Sequence, residues 1–159
     1  AKDESIGSRM INARAETVSE KRSFSRSFRE RRCLVPADGF YEWEKSGKGK
    51  KQPYRFTLKT GEVFAMAGLW DVWQTASGQK LYTFAIITTT ANSLVAAVHH
   101  RMPVLLPKGA EKIWLAADEG DLQALQSLLA PYPAEEMAVA AVSPLVNNPQ
   151  HDSPGVLVP

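Results

Sequence analysis

Apolar segments bounded by polar, glycine- and proline-bearing turns fill most of residues 33–88, and their spacing sets out a run of strands. MINAR at 10–14 is a short extended segment after a loop at 1–9. CLVP (33–36) and GFYEWEK (39–45) flank a turn at Ala37-Asp38, and SGKGKK (46–51) is a glycine-bearing hairpin loop. PYRFTLK (53–59) follows, Thr60-Gly61 turns into VFAMAGLWDVW (63–73), and the polar QTASGQ leads to LYTFAIIT (81–88). Such a meander predicts a curled antiparallel sheet or barrel. Helical spacing is confined to three places. Ser23 to Arg32 carries Phe24 and Phe28 at i, i+4, TANSLVAAV (90–98) has Thr90 or Asn92 as N-cap, and DLQALQSLLA (121–130) puts Leu122, Leu125, Leu128 and Leu129 on one face. RMPVLLP (101–107) reads as a short strand ended by Pro107, and MAVAAVSPLV (137–146) as a final one. The predicted class is α+β: a mainly antiparallel, barrel-like β core with short flanking helices, in one domain over residues 1–159.

Length and composition agree with a single core. A chain of 159 residues, 44% hydrophobic, can bury roughly two-thirds of its unfolded surface. No apolar run approaches the ~20 residues of a membrane-spanning helix, and AKDESIGSRM lacks the apolar centre of a signal peptide, so a soluble, non-membrane protein is expected. A single cysteine, Cys33, excludes an internal disulfide and a cysteine-based zinc site. The three histidines, 99, 100 and 151, lack metal-ligand spacing, so no metal is expected, and without a GxxxxGK loop no cofactor is expected either.

Charge changes the picture more than composition does. Residues 1–59 hold 15 Lys/Arg against 8 Asp/Glu, or +7, while residues 60–159 hold 4 against 9, or −5. Within the basic half, Arg9, Arg14, Lys21, Arg22, Arg26, Arg29, Arg31 and Arg32 interleave with Phe24 and Phe28. That composition suits a phosphate backbone, and equally a solvated helix face.

Four polar groups sit at the ends of apolar elements, where sites are commonly built. They are Asn12 with Arg14 in MINARAET, Glu42 in GFYEWE, Thr88 to Thr90 before ANS, and His99 with Arg101 in AVHHRMP. With a strand's period, Phe40, Glu42 and Glu44 share one face while Tyr41 and Trp43 take the other. A carboxylate beside aromatics has its charged form disfavoured by desolvation, which suits Glu42 to general acid/base work. Histidine ordinarily titrates near neutrality, arginines fork onto phosphates, and asparagine can hold an oxygen or an amine. Each group also has an ordinary structural reading: Asn12 as a turn residue, Glu42 as a solvent-facing strand acid, His99 as a satisfied structural group. Cys33 follows two arginines that would lower its thiol pKa if it were exposed, but CLVP reads as a buried strand. Core packing is therefore preferred to a Cys33–His99 hydrolase.

Taken in order, MINARAETV, RRCLVPADGFYEWEK, AMAGLWD, TTTANSLVAAVHHRMPVLL and SPLVN resemble the SRAP family, named for SOS response-associated peptidase and represented by abasic-site processing proteins. The resemblance runs from about residue 1 to about residue 147. It implies an α+β domain with a barrel-like core and a positive groove for single-stranded DNA. It implies that an exposed residue-one cysteine condenses, through amine and thiol, with the aldehyde of an abasic site to give a thiazolidine DNA–protein crosslink. By the same resemblance Asn12, Glu42 and His99 are the catalytic positions, and Arg14, Thr88 and Arg101 contact the DNA backbone. AKDESIGSRM resembles an internal stretch of family members and the Cys-Gly-Arg start is absent, so these residues are expected to be either part of a longer chain or a shortened member without the covalent chemistry. Cys33 is internal, has no free α-amine and does not replace that start. Residual single-strand binding without covalent capture is the expected behaviour of these residues alone. The expected partner is single-stranded DNA with abasic sites, bound by a monomer, in the bacterial cytoplasm at the nucleoid or in a eukaryotic nucleus.

Two other readings stand beside this one. The family's older name implies a cysteine-type autopeptidase, whose cleavage would uncover the same residue-one cysteine. A non-covalent module for single-stranded or modified DNA needs no bond formation, and a purely structural β-rich module would not respond to nucleic acid at all.

Overall fold

The computed structural model describes residues 7, 10–44, 51–75, 77–116 and 121–158. Eight strands and four short α-helices follow in the order β1 (Asn12–Arg14), α1 (Ser25–Glu30), β2 (Arg32–Ala37), β3 (Phe40–Trp43), β4 (Pro53–Leu58), β5 (Phe64–Gln74), β6 (Lys80–Thr90), α2 (Ser93–Ala96), β7 (Arg101–Pro103), α3 (Ala110–Ala116), α4 (Leu122–Ser127) and β8 (Met137–Ala141). The class is α+β, as the sequence pattern predicts. The hairpin loop at 46–51 lies almost wholly outside the described residues, as does most of the loop at 1–9.

The strands form two sheets, and among the described residues they do not close into a barrel. The first runs β1-β6-β5-β2, with β7 also on β6; the second runs β3-β4-β8. β2 and β3 flank their turn without pairing, because the chain bends at Asp38-Gly39 and leaves one sheet for the other. Gly39 permits this passage: a Cβ there would stand 2.9 Å from both the Phe56 carbonyl and Arg55 Nε. β1 departs from the antiparallel pattern, pairing in parallel with β6 at Asn12↔Ile86, Ala13↔Ile87 and Arg14↔Thr88.

Side-chain alternation in β2, β5 and β6 serves two cores. On one face Ala13, Phe28, Leu69, Ile87, Val104, Trp114 and Leu125 pack under α1, α3 and α4. On the other, Met66, Val95, Met102 and Leu105 meet Phe40, Phe56 and Met137 of the second sheet. Met66 to Leu69 are accordingly buried at every position, because both faces of β5 are covered. Gly68 lies opposite Cys33 in the β2–β5 ladder, and a Cβ there would meet Cys33 Sγ at 2.8 Å and Val35 Cγ2 at 2.9 Å. Gly68→Ala is expected to lower stability by about 1–3 kcal/mol, as overpacking does. An unchanged urea midpoint would show that the two side chains simply rotate aside.

Two elements depart from expectation. The final strand stops at Ala141, and Pro144–Asn147 form a 3-10 turn, since Pro144 cannot donate to a ladder. Helix α3 has no counterpart in the predicted elements, yet it carries Trp114, the largest fully buried side chain. The basic segment is also partly internal wiring. Arg32 donates from Nε to the Trp114 carbonyl (2.6 Å) and from Nη1 to the Phe28 (2.8 Å) and Arg29 (2.5 Å) carbonyls, tying the end of α1 to α3. Arg31 bonds Asp71 and stacks over Trp70, and Arg26 bonds Glu30.

Candidate functional site

The candidate residues come from four strands and one helix end. Phe40 is buried and stacks on Phe56, with ring centroids 5.2 Å apart, which fixes the face of β3 that also carries Glu42. Tyr41 and Trp43 pair on the opposite face, 6.5 Å apart, as the strand period predicts. Helix α2 is only four residues long and is held from outside. Asn92 accepts from the Val95 N–H (3.0 Å) and donates to the Tyr132 carbonyl (2.7 Å), capping the helix and anchoring it. Its end delivers His99, whose N–H donates to the Val95 carbonyl at 2.9 Å.

Glu42 and His99, distant in sequence, meet here. Glu42 Oε2 lies 3.6 Å from His99 Nδ1, and both side chains are about four-fifths buried, at 21% and 23% exposure. The same Nδ1 lies 3.2 Å from the Arg101 N–H and 3.1 Å from the Arg101 carbonyl, so β7 sets the ring's orientation. The His100 ring stands 4.5 Å from that of His99. A largely buried carboxylate beside an imidazole can pass a proton in either direction, the elementary requirement of acid/base chemistry.

A second cluster lies along β6. Thr88 is opposite Arg14 on one side and Pro103 on the other. Its carbonyl accepts from the Ala15 N–H (2.9 Å) and from Arg101 Nη2 (2.6 Å), and its hydroxyl donates to the Ala13 carbonyl at 3.4 Å. Sequence reasoning missed the third member, Glu16, which receives Arg101 Nη1 at 2.5 Å and Nη2 at 3.0 Å. The signal was a lone acid two residues beyond Arg14, but its partner lies on another strand. Arg101 chiefly, by hydrogen bonding, holds the Glu16 carboxyl below its ordinary range. The contribution to stability is thus present at neutral pH and fades as pH falls through that lowered value.

Asn12 is exposed on β1 and lines an apolar concavity of about 790 Å³ with Met10, Phe24, Leu69, Trp73 and Phe84. Ile11, Tyr82 and Phe84 are 60%, 67% and 59% exposed at its edge. Arg14 is exposed two residues further along β1.

Cys33 is a poor nucleophile. Burial pushes its thiol pKa up, and its carbonyl accepts from Trp114 Nε1 at 2.9 Å. Native Cys33 is expected to react with iodoacetamide many-fold more slowly than the urea-unfolded chain, and equal rates would restore it as a candidate. Among the described residues no group of His, Cys, Asp and Glu is placed to hold a metal, and no helix is long and apolar enough to cross a membrane.

Comparison with known proteins bears on the family and the fold. The family model described as SOS response associated peptidase (SRAP) matches residues 1–149. The Abasic site processing protein YoqW of Bacillus subtilis is 50% identical over 157 residues, covering 99% of this chain and 70% of that protein. The Abasic site processing protein HMCES of Rattus norvegicus is 33% identical over 174 residues, covering 93% of this chain and 49% of that protein. A crystal structure of a Bacteroides thetaiotaomicron protein superposes with a TM-score of 0.88 at 32% identity, over 99% of this chain and 70% of its own. With sequence and fold matched over that span, the chain belongs to the SRAP family.

Proposed function

We propose that residues 1–159 form a single SRAP-like domain that recognises abasic sites in single-stranded DNA and supplies the acid/base groups for their covalent capture. The observation that carries this reading is the Glu42–His99 pair, 3.6 Å apart and largely buried, beside a cluster in which Arg101 is bound to Thr88. It occurs in a chain half identical to an abasic site processing protein.

In the proposed reaction, the amine of a residue-one cysteine supplied by a longer form of the protein adds to the sugar aldehyde. Water leaves, and the thiol then closes on the resulting C=N bond. The carbon keeps its oxidation level from aldehyde to thiazolidine and one water is released, so no oxidant is needed. Glu42 gives a proton to the departing hydroxyl and recovers one from the thiol. His99 acts on the sugar hydroxyl or the Schiff base, and Asn12 holds the reacting amine or oxygen. Arg14, Thr88 and Arg101 fix the DNA backbone, which makes affinity fall with salt. A monomer suffices for this chemistry, and the compartment follows the DNA: nucleoid in a bacterium, nucleus in a eukaryote.

The test is a denaturing gel. This chain, and a version extended upstream to a residue-one cysteine, are each incubated with single-stranded DNA carrying one abasic site. A shifted band only with the extended version is the expected result. A shift with neither removes the covalent reading and leaves a non-covalent DNA-binding module.

A further inference from the structure

Arg101 has the most heavily committed side chain among the candidate DNA contacts. Nη1 donates to Glu16 Oε1, and Nη2 donates to Glu16 Oε2, to the Thr88 carbonyl and, at 3.3 Å, to the Thr88 hydroxyl. Nε is buried and has no hydrogen-bond partner among the described residues. Carboxylates and phosphate diesters are bound by the same forked edge of a guanidinium. Glu16 therefore occupies the edge that a backbone phosphate would use.

The two partners are not equally placed. The Arg101 side chain is 15% exposed and Glu16 is 48% exposed. Thr88 holds Nη2 independently of Glu16, so the guanidinium keeps its position when the carboxylate turns outward. The carboxylate is half exposed, so it can leave Arg101 for water when another anion takes the guanidinium's edge.

We propose that Glu16 is a stand-in for a DNA phosphate, holding Arg101 when the site is empty and giving way when single-stranded DNA binds, so that it sets the affinity and salt dependence of the site. This rests on the single-stranded DNA reading above and assigns that site its competitor. In the wild type the Glu16 carboxylate remains beside Arg101, so engagement of Arg101 neutralises little net phosphate charge and releases few of the cations condensed on the strand. Once the carboxylate is gone, Arg101 counts as a full phosphate contact.

The test compares wild type, Glu16→Gln, Arg101→Ala and the double variant by fluorescence anisotropy on an undamaged single-stranded oligonucleotide across a salt series. Glu20→Gln removes an equal charge four residues away and serves as the control. Glu16→Gln is expected to bind several-fold more tightly at low salt, with a salt slope steeper by about 0.7. The gain should vanish in the Arg101→Ala background and exceed that of Glu20→Gln. No gain, or a gain that survives loss of Arg101, overturns the proposal.

Inorganic phosphate gives a second readout that needs no DNA: it should raise the melting temperature of Glu16→Gln more than that of the wild type. If the wild type fails to bind DNA while this difference persists, the single-stranded DNA reading fails and the exchange stands. If the wild type binds DNA but both differences are absent, the exchange fails.

Discussion

Glu42→Gln, in a protein carrying the residue-one cysteine, should slow crosslinking to an abasic-site oligonucleotide by about 10²–10⁴-fold. Glutamine matches the shape of the side chain and can still hydrogen-bond, but it neither gives nor takes a proton. The substitution therefore leaves the positioning of the strand largely intact and removes the proton transfer. Affinity for undamaged single-stranded DNA, measured in parallel, should change little. The rate should also lose the pH dependence that an ionising group at this position imposes. An unchanged crosslinking rate would reduce Glu42 to a structural partner of His99.

Trp114→Ala should lower stability by about 3–5 kcal/mol, as truncation of a large buried aromatic does. The side chain is fully buried, packs 6.0 Å from the Phe28 ring and lies beneath the Arg32 guanidinium. Its indole N–H is bonded to the Cys33 carbonyl, and that bond is lost with the ring. Against a typical domain stability of about 5–15 kcal/mol, the variant sits near its unfolding limit. Urea unfolding followed by circular dichroism is the measurement. A midpoint within error of wild type would mean that α3 is peripheral to folding.

Local patterns in the sequence carried much of the fold. The alternation in β5 and β6, the Asn92 cap and the division of β3 into a Phe40–Glu42 face and a Tyr41–Trp43 face each depend on residues a few positions apart. Helix α3 was hidden because only Ala110 and Trp114 face inward, while Ile113 and Leu115 are about half exposed and blur the helical period. The two-sheet arrangement was hidden because β3 pairs with β4, whose other edge takes β8, rather than with β2 across its own turn. Arg32 resembled a phosphate ligand by composition, and only the arrival of three carbonyls shows it to be a tie between helices. The candidate site divides in the same way. Asn12, Glu42 and His99 stood out as polar residues in apolar settings, together with a family resemblance, and Glu42 and His99 do meet. Glu16 was missed because its meaning lies wholly in Arg101, on a strand that no local pattern relates to it.

The parallel pairing of β1 with β6 has a consequence for synthesis. Arg14 leaves the ribosome long before Thr88, its ladder neighbour, so β1 must wait unpaired for roughly 4–15 s at ordinary elongation rates. Through that interval Met10 and Ile11 lie beside an open backbone edge with no native place to go. The surface that carries Asn12 and Arg14 is thus made well before it can be finished. A nascent chain is most open to wrong strand partners, or to capture by a chaperone, at the residues on which its chemistry depends.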